Sequence, residues 1–295
     1  MSRAWLGTFL LVASAAAYLT AGFFTRLIPV DAWTLLFWRG LFGGAFLALV
    51  VAVQQRGRIW PAILATGVEG VLVAICSAVA TVCFLNAMRL TAVAEVMVID
   101  AAIPFVTAGM AWLILGERES AWTLGATGAA FAGMAIMAGP ALVQGRFLGD
   151  ALAFAMATLM ALVIVLIRRK QGVSMVPAVC ASAFLCSLIV WPFASPLQVD
   201  GREFGLLALF GVSQFGLGLL LLAFGTPLVS ATRGALLGVL QTPLATLWVW
   251  LAFAEQPAVL TLIGGAIVLA AVVADMLGHH DLHLADREPP ARSRS

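Results

Sequence analysis

The sequence predicts an all-α integral membrane protein of ten spanning helices, and three observations carry that prediction. Apolar residues make up 63% of the 295 residues, charged residues make up 10%, and the mean hydropathy is +1.07. A water-soluble domain is about half apolar and about a quarter charged. The apolar residues come in runs of about twenty, the length that crosses a hydrocarbon core as a helix. Within those runs polar and apolar residues do not alternate, which excludes a transmembrane β-barrel. Ten spans take up roughly 200 residues, so no large soluble domain or catalytic module fits beside them.

In lipid each backbone amide must find its partner within its own segment, so every run is read as a helix. The runs fall at residues 5–25, 33–53, 62–86, 93–115, 121–140, 148–167, 175–194, 203–222, 230–253 and 257–277. Short polar stretches separate them, among them Gln54-Gln55-Arg56-Gly57-Arg58, Gly116-Glu117-Arg118-Glu119-Ser120 and Arg168-Arg169-Lys170-Gln171-Gly172. Arg3 and the Ala13-Ser14-Ala15 triplet imitate a secretory leader with its cleavage site. The apolar run continues to Phe24, however, so it reads as a first helix. Residues 278–295 hold His279, His280, His283, two prolines and three arginines, and read as a flexible tail.

A net charge of +2 gives no basic face for nucleic acid. Cys76, Cys83, Cys180 and Cys186 all lie inside apolar runs, where cysteine is a small packing residue, and no metal-ligand spacing is visible. No histidine lies in a span, which removes Ser-His and His-metal chemistry inside the membrane. A Walker loop is also missing, so ATP does not drive the protein directly. No enzyme activity, cofactor or metal is expected.

The chain resembles itself. Shifted by 142 places, Trp5-Leu6-Gly7 falls on Phe147-Leu148-Gly149, and Arg26 falls on Arg168. Shifted by 138, Trp112-Leu113 meets Trp250-Leu251, Glu117 meets Glu255, and Thr123-Leu124 meets Thr261-Leu262. Tryptophan and glutamate are scarce here, so the second match weighs more than matches of Leu or Ala. The expected organisation is one repeat over residues 1–145, a second over 146–277, and the tail. Five helices per repeat is an odd number, so the second repeat sits upside down relative to the first. Inverted repeats of this kind mark many secondary transporters, whose substrate binds near the bilayer middle between the halves.

Asn86-Ala87-Met88-Arg89-Leu90-Thr91, a proline-bearing helix, and Trp112-Leu113-Ile114-Leu115-Gly116-Glu117-Arg118 resemble the half-repeat of the EamA-type drug/metabolite transporters. A weaker second copy keeps Thr226-Pro227-Leu228-Val229-Ser230-Ala231, Pro243, and Trp250 to Glu255. The overall look is most similar to the amino-acid exporters, including the aromatic amino-acid group. The resemblance implies a ten-helix inner-membrane fold, a central cavity lined by the first, third, fourth, sixth, eighth and ninth helices, and export of small metabolites.

An ionisable side chain inside a span costs about 2.5–3.5 kcal/mol on the insertion scale, which makes such residues functional candidates. They are Arg39, Glu69, Glu95, Asp100, Arg233 and Asp275. By depth they sort into two gates: Arg39 with Asp100 or Glu95 at one face, and Arg233 with Glu69 or Asp275 at the other. The alternative for each is a static pair or a side chain snorkelling to the headgroups. Between the gates lie neutral donors and acceptors: Tyr18, Ser77, Thr81, Thr158, Ser213, Gln214, Gln241 and Thr242. Tyr18, Ser77, Thr81, Gln214, Gln241 and Thr242 are the expected cavity set, although a buried amide also serves as glue between helices. Pro104 and Pro243 should kink the fourth and ninth helices and free a carbonyl upstream. Gly40-x3-Gly44 and Gly234-x3-Gly238 should permit close helix approach.

The leading functional expectation is a secondary exporter of amino acids or similar small metabolites, working by alternating access across the inner membrane. Efflux of hydrophobic cations is the second reading. It is weakened because the first helix offers Ser14 and Tyr18 and no acid. A receptor or structural role is the third. One chain holds both halves, so a monomer suffices, with a small-molecule substrate and the lipid bilayer as its partners. With the N-terminus cytoplasmic, the inner loops hold Arg3, Arg56, Arg58, Arg118, Arg168, Arg169 and Lys170, against Arg26, Arg89, Arg146 and Arg202 outside. A reporter active only in the cytoplasm, fused after Ser295, should therefore be active; activity of a periplasm-only reporter there would reverse the orientation.

Overall fold

The computed structural model describes residues 3–56, 59–91, 93–138, 147–253 and 258–285. These residues form ten helices long and apolar enough to cross a membrane, and no strand is present among them. We number them α1 (Arg3–Thr25), α2 (Ala32–Gln54), α3 (Pro61–Leu90), α4 (Glu95–Leu115) and α5 (Ala121–Ala138) in the first half. The second half contains α6 (Phe147–Arg169), α7 (Val176–Phe193), α8 (Gly201–Leu228), α9 (Ala231–Ala252) and α10 (Val259–Leu277). The number and order match the sequence reading. One correction concerns the tail: the last helix runs on past α10 through His279, His280 and His283 to Ala285. The expected repeat boundary at 145/146, together with Gly57, Arg58, Arg146 and Glu255, lies outside the described residues.

The two halves are related by exchange. α1 packs on α8 and α6 packs on α3; α2 packs on α8 and α7 on α3; α4 packs on α6 and α9 on α1. Each helix pair becomes the other when a helix is replaced by its counterpart five places along. The pairs α2 with α7, α4 with α9, and α5 with α10 map onto themselves and so straddle the pseudo-two-fold axis. The direction of the halves follows from one short segment. Leu228 lies against Gly7 near the start of α1, while the carbonyl of Pro227 accepts a 2.6 Å hydrogen bond from Arg168 at the end of α6. The start of α1 and the end of α6 therefore share one end of the bundle, and the repeats are inverted.

Glycines let these helices touch. Gly40 and Gly44 on α2 lie under Ala183, Phe184 and Ser187 of α7, as their spacing predicts. Gly43 meets Gly211 and Gly216 of α8, and Gly133 of α5 meets Gly264 of α10. The Gly234/Gly238 pair is different and corrects the expectation. Gly234 faces Leu11 and Val229 at ordinary contact distance, and a side chain at Gly238 would meet nothing within 4 Å. The gaps between the crossings are filled by apolar side chains, the fullest cluster joining Leu47, Val73, Val163, Ile167, Val179 and Leu219.

Interruptions of the helices are unevenly distributed. α1 breaks at Leu19–Thr20, α3 at Gly67, α4 at Ala101–Ala102 and α9 at Leu240, and α8 widens into a π-helical turn over Gly211–Gly216. Gly67 takes φ 63°, open to glycine without strain. Pro104 lies in the first turn of the second segment of α4, Ile103–Leu115, where a missing N–H costs nothing. α2, α5, α6, α7 and α10 have no such break within their spans.

The Gly133–Gly264 crossing gives a direct test. A methyl at Gly133 would sit 2.7 Å from the Gly264 carbonyl oxygen, so Gly133→Ala should cost about 1–3 kcal/mol of stability. Gly109→Ala meets nothing within 4 Å and should be neutral or gain up to about 1 kcal/mol from helix propensity. Thermal unfolding of both purified variants in detergent separates the two outcomes.

Candidate functional site

The sequence-selected ionisable residues do not form two matching gates. At the end of the bundle that carries the start of α1, Arg233 and Asp275 pair, Nε to Oδ2 at 3.1 Å, and both are buried. The Thr123 hydroxyl donates to the other oxygen, Oδ1, at 2.8 Å. α9, α10 and α5 are thus tied through one carboxylate. Glu69 does not join this pair. The break at Gly67 turns it toward Lys170, with Oε2 and Nζ 3.5 Å apart. Arg168 bonds Glu117 at 2.9 Å in addition to the Pro227 carbonyl. All three ion pairs formed between described residues sit at this end.

At the far end the expected partners of Arg39 are elsewhere. Glu95 is buried and bonded by the Thr91 hydroxyl, which also meets Asp150 at 2.8 Å. This joins α4 and the end of α3 to the first turn of α6. Asp100 closes the first segment of α4, Val93–Asp100, just before the break, and forms no hydrogen bond or ion pair with a described residue. The proposed Arg39–Asp100 and Arg39–Glu95 pairs are therefore absent, and the reason is geometric. Arg39 points between α8, α1 and α7, where its guanidinium stands 4.3 Å from the Phe215 ring centroid and 6.0 Å from that of Phe210. The titratable side chains that act on its charge are the Cys186 thiol and the Tyr18 phenol, and Thr81 lies beside Cys186. Nε of Arg39 is buried with no hydrogen-bond partner.

Tyr18, Arg39 and Asp100 share a further property. Each is only partly buried. These three stand on α1, α2 and α4. Ser77, Thr81, Gln241 and Thr242, in the interior stretches of α3 and α9, are likewise only partly buried. Pro243 is buried below them in α9. Gln214 departs from the set: it is 2% exposed, its Oε1 has no partner, and it sits inside the π-helical turn of α8. Thr81, Thr158 and Ser213 each donate their hydroxyl proton back to a carbonyl four residues earlier, which leaves them as acceptors.

Sequence reasoning located Arg39, Tyr18 and Thr81 but missed Phe215 and Cys186, whose apolar surroundings read as packing. It also missed Thr91, Asp150 and Arg168 as partners, because only folding brings residues so far apart in sequence together. Trp112, Trp248 and Trp250 are exposed. Among the described residues no group of His, Cys, Asp and Glu has the makings of a metal site.

No curated protein matches the chain. A crystal structure of a protein 18% identical in sequence covers 92% of this chain and 97% of its own, with a TM-score of 0.74, so the two share a fold from end to end. Residues 5–139, which span the first five helices, match the EamA-like transporter family.

Proposed function

We propose that this protein is a secondary transporter that exports amino acids or similar small metabolites across the inner membrane by alternating access, as a monomer with both ends cytoplasmic. The observation that carries the reading is the set of interrupted helices. α1, α3, α4, α8 and α9 are broken or widened in or near the membrane, and α1, α4 and α9 border partly accessible polar side chains. Broken helices of inverted repeats at a shared hollow are how secondary transporters expose backbone and polar groups to a solute.

The three ion pairs at the end carrying the start of α1 act as its lock in this conformation. Exchange between two such arrangements is the bistable element that alternating access requires. Cation efflux has less support. Ser14, the polar residue in the middle of α1, donates to the Gly218 carbonyl at 2.8 Å and is buried there.

Purified protein in proteoliposomes should take up radiolabelled threonine, methionine or phenylalanine; uptake of a lipophilic cation alone would overturn this reading. The lock has its own test. Asp275→Ala strands the buried Arg233 guanidinium and should cost about 3–5 kcal/mol of stability. Replacing both, Arg233→Leu with Asp275→Leu, should recover most of that stability while leaving transport slowed. Recovery of wild-type transport by the double variant would make the pair a static strut.

A further inference from the structure

Arg39 is a cation placed where a membrane protein tolerates one only for a reason. Its guanidinium carries five N–H donors in a planar fork. Among the described residues it has no carboxylate partner, and its buried Nε has no hydrogen-bond partner. What surrounds it is neutral: the Phe215 ring at 4.3 Å, the Tyr18 phenol and the Cys186 thiol. The Tyr18 ring is held against Gly218, and its hydroxyl makes no hydrogen bond to a described residue. Two sets of free donors thus stand beside an aromatic wall. A ring beside it steadies the guanidinium plane without using its N–H groups, which leaves the fork to receive an anion.

We propose that Arg39 is the anchor for a carboxylate group of the transported solute, with the Tyr18 hydroxyl as second donor and Phe215 as the apolar face beside it. This rests on the transporter reading above and narrows it to solutes that carry a carboxylate. An amine without a carboxylate finds no counter-charge among Tyr18, Cys186 and Phe215 and is repelled by Arg39. The planar two-oxygen geometry of a carboxylate matches the fork, so Lys, a point charge, replaces Arg39 only in part.

The test uses the full-length protein in detergent, melted with millimolar 3-phenylpropionate, L-phenylalanine, acetate or phenethylamine. The carboxylates that carry an aromatic ring should raise the melting temperature most, and phenethylamine should not raise it. Arg39→Gln should weaken the apparent affinity for 3-phenylpropionate by about 10-fold or more, with Arg39→Lys intermediate. A measurement free of variants guards against misfolding. Phenylglyoxal should modify Arg39 in the wild-type protein, read by mass spectrometry of its peptide, and 3-phenylpropionate should protect it. Stabilisation by phenethylamine equal to that by 3-phenylpropionate, an unchanged carboxylate response in Arg39→Gln, or no response and no protection by any carboxylate each overturns the assignment. Should one of these occur while proteoliposomes still carry some solute, the carboxylate anchor falls and the transporter stands. Absence of flux for every solute removes the transporter reading itself.

Discussion

A peptide group deprived of its helical partner inside a bilayer has no water to turn to, and that constraint organises this protein. Each interruption of a helix must be sheltered by neighbouring protein or open onto a hollow. Ala101–Ala102, Leu240 and the wide turn at Gly211–Gly216 obey it by standing on helices that the inverted arrangement turns inward. The uninterrupted helices α2, α5, α7 and α10 pair across the pseudo-two-fold axis, α2 on α7 and α5 on α10, and serve as straight staves around the broken ones.

Close backbone contact is the second organising feature, and it explains where small residues are spent. Gly43 against Gly211 and Gly216, and Gly133 against Gly264, bring pairs of helices together through bare backbone. In lipid there is little hydrophobic gain from pressing one apolar helix on another, so such contact has to come from packing. The contact of α2 with the wide turn of α8 at Gly43 matters most for the interior. It sets the segment carrying Phe215 one residue's reach from Arg39, and so decides what that cation faces.

Much of the fold was legible in the residue order because hydropathy is a local property. Run length gave all ten spans, and scarce Trp and Glu pointed to the repeat. Proline marked two of the five interruptions, at Pro104 and Pro243. Those at Leu19–Thr20 and in α8 carry no proline within the break, and their cause lies in packing against other helices. Pairing was legible only by depth. Depth placed Arg233 and Asp275 at one level and they meet, but it equally placed Arg39 with Asp100, which do not. Azimuth around a helix, set by which neighbour it crosses, is not written in local composition. The same limit hid Arg168, which reads as a loop charge and instead bonds both Glu117 and the Pro227 carbonyl.

The wide turn in α8 has a mechanical consequence. A π-helical turn is an ordinary helix with a surplus residue, and the surplus belongs to no fixed place in the chain. Sliding it along by a turn would leave both ends of α8 where they are while swinging the side chains in between by about 100°, the angle one residue subtends. Gln214 and Phe215 ride on that stretch, so a shift of phase along one helix would carry the ring away from Arg39 and bring an amide round in its place.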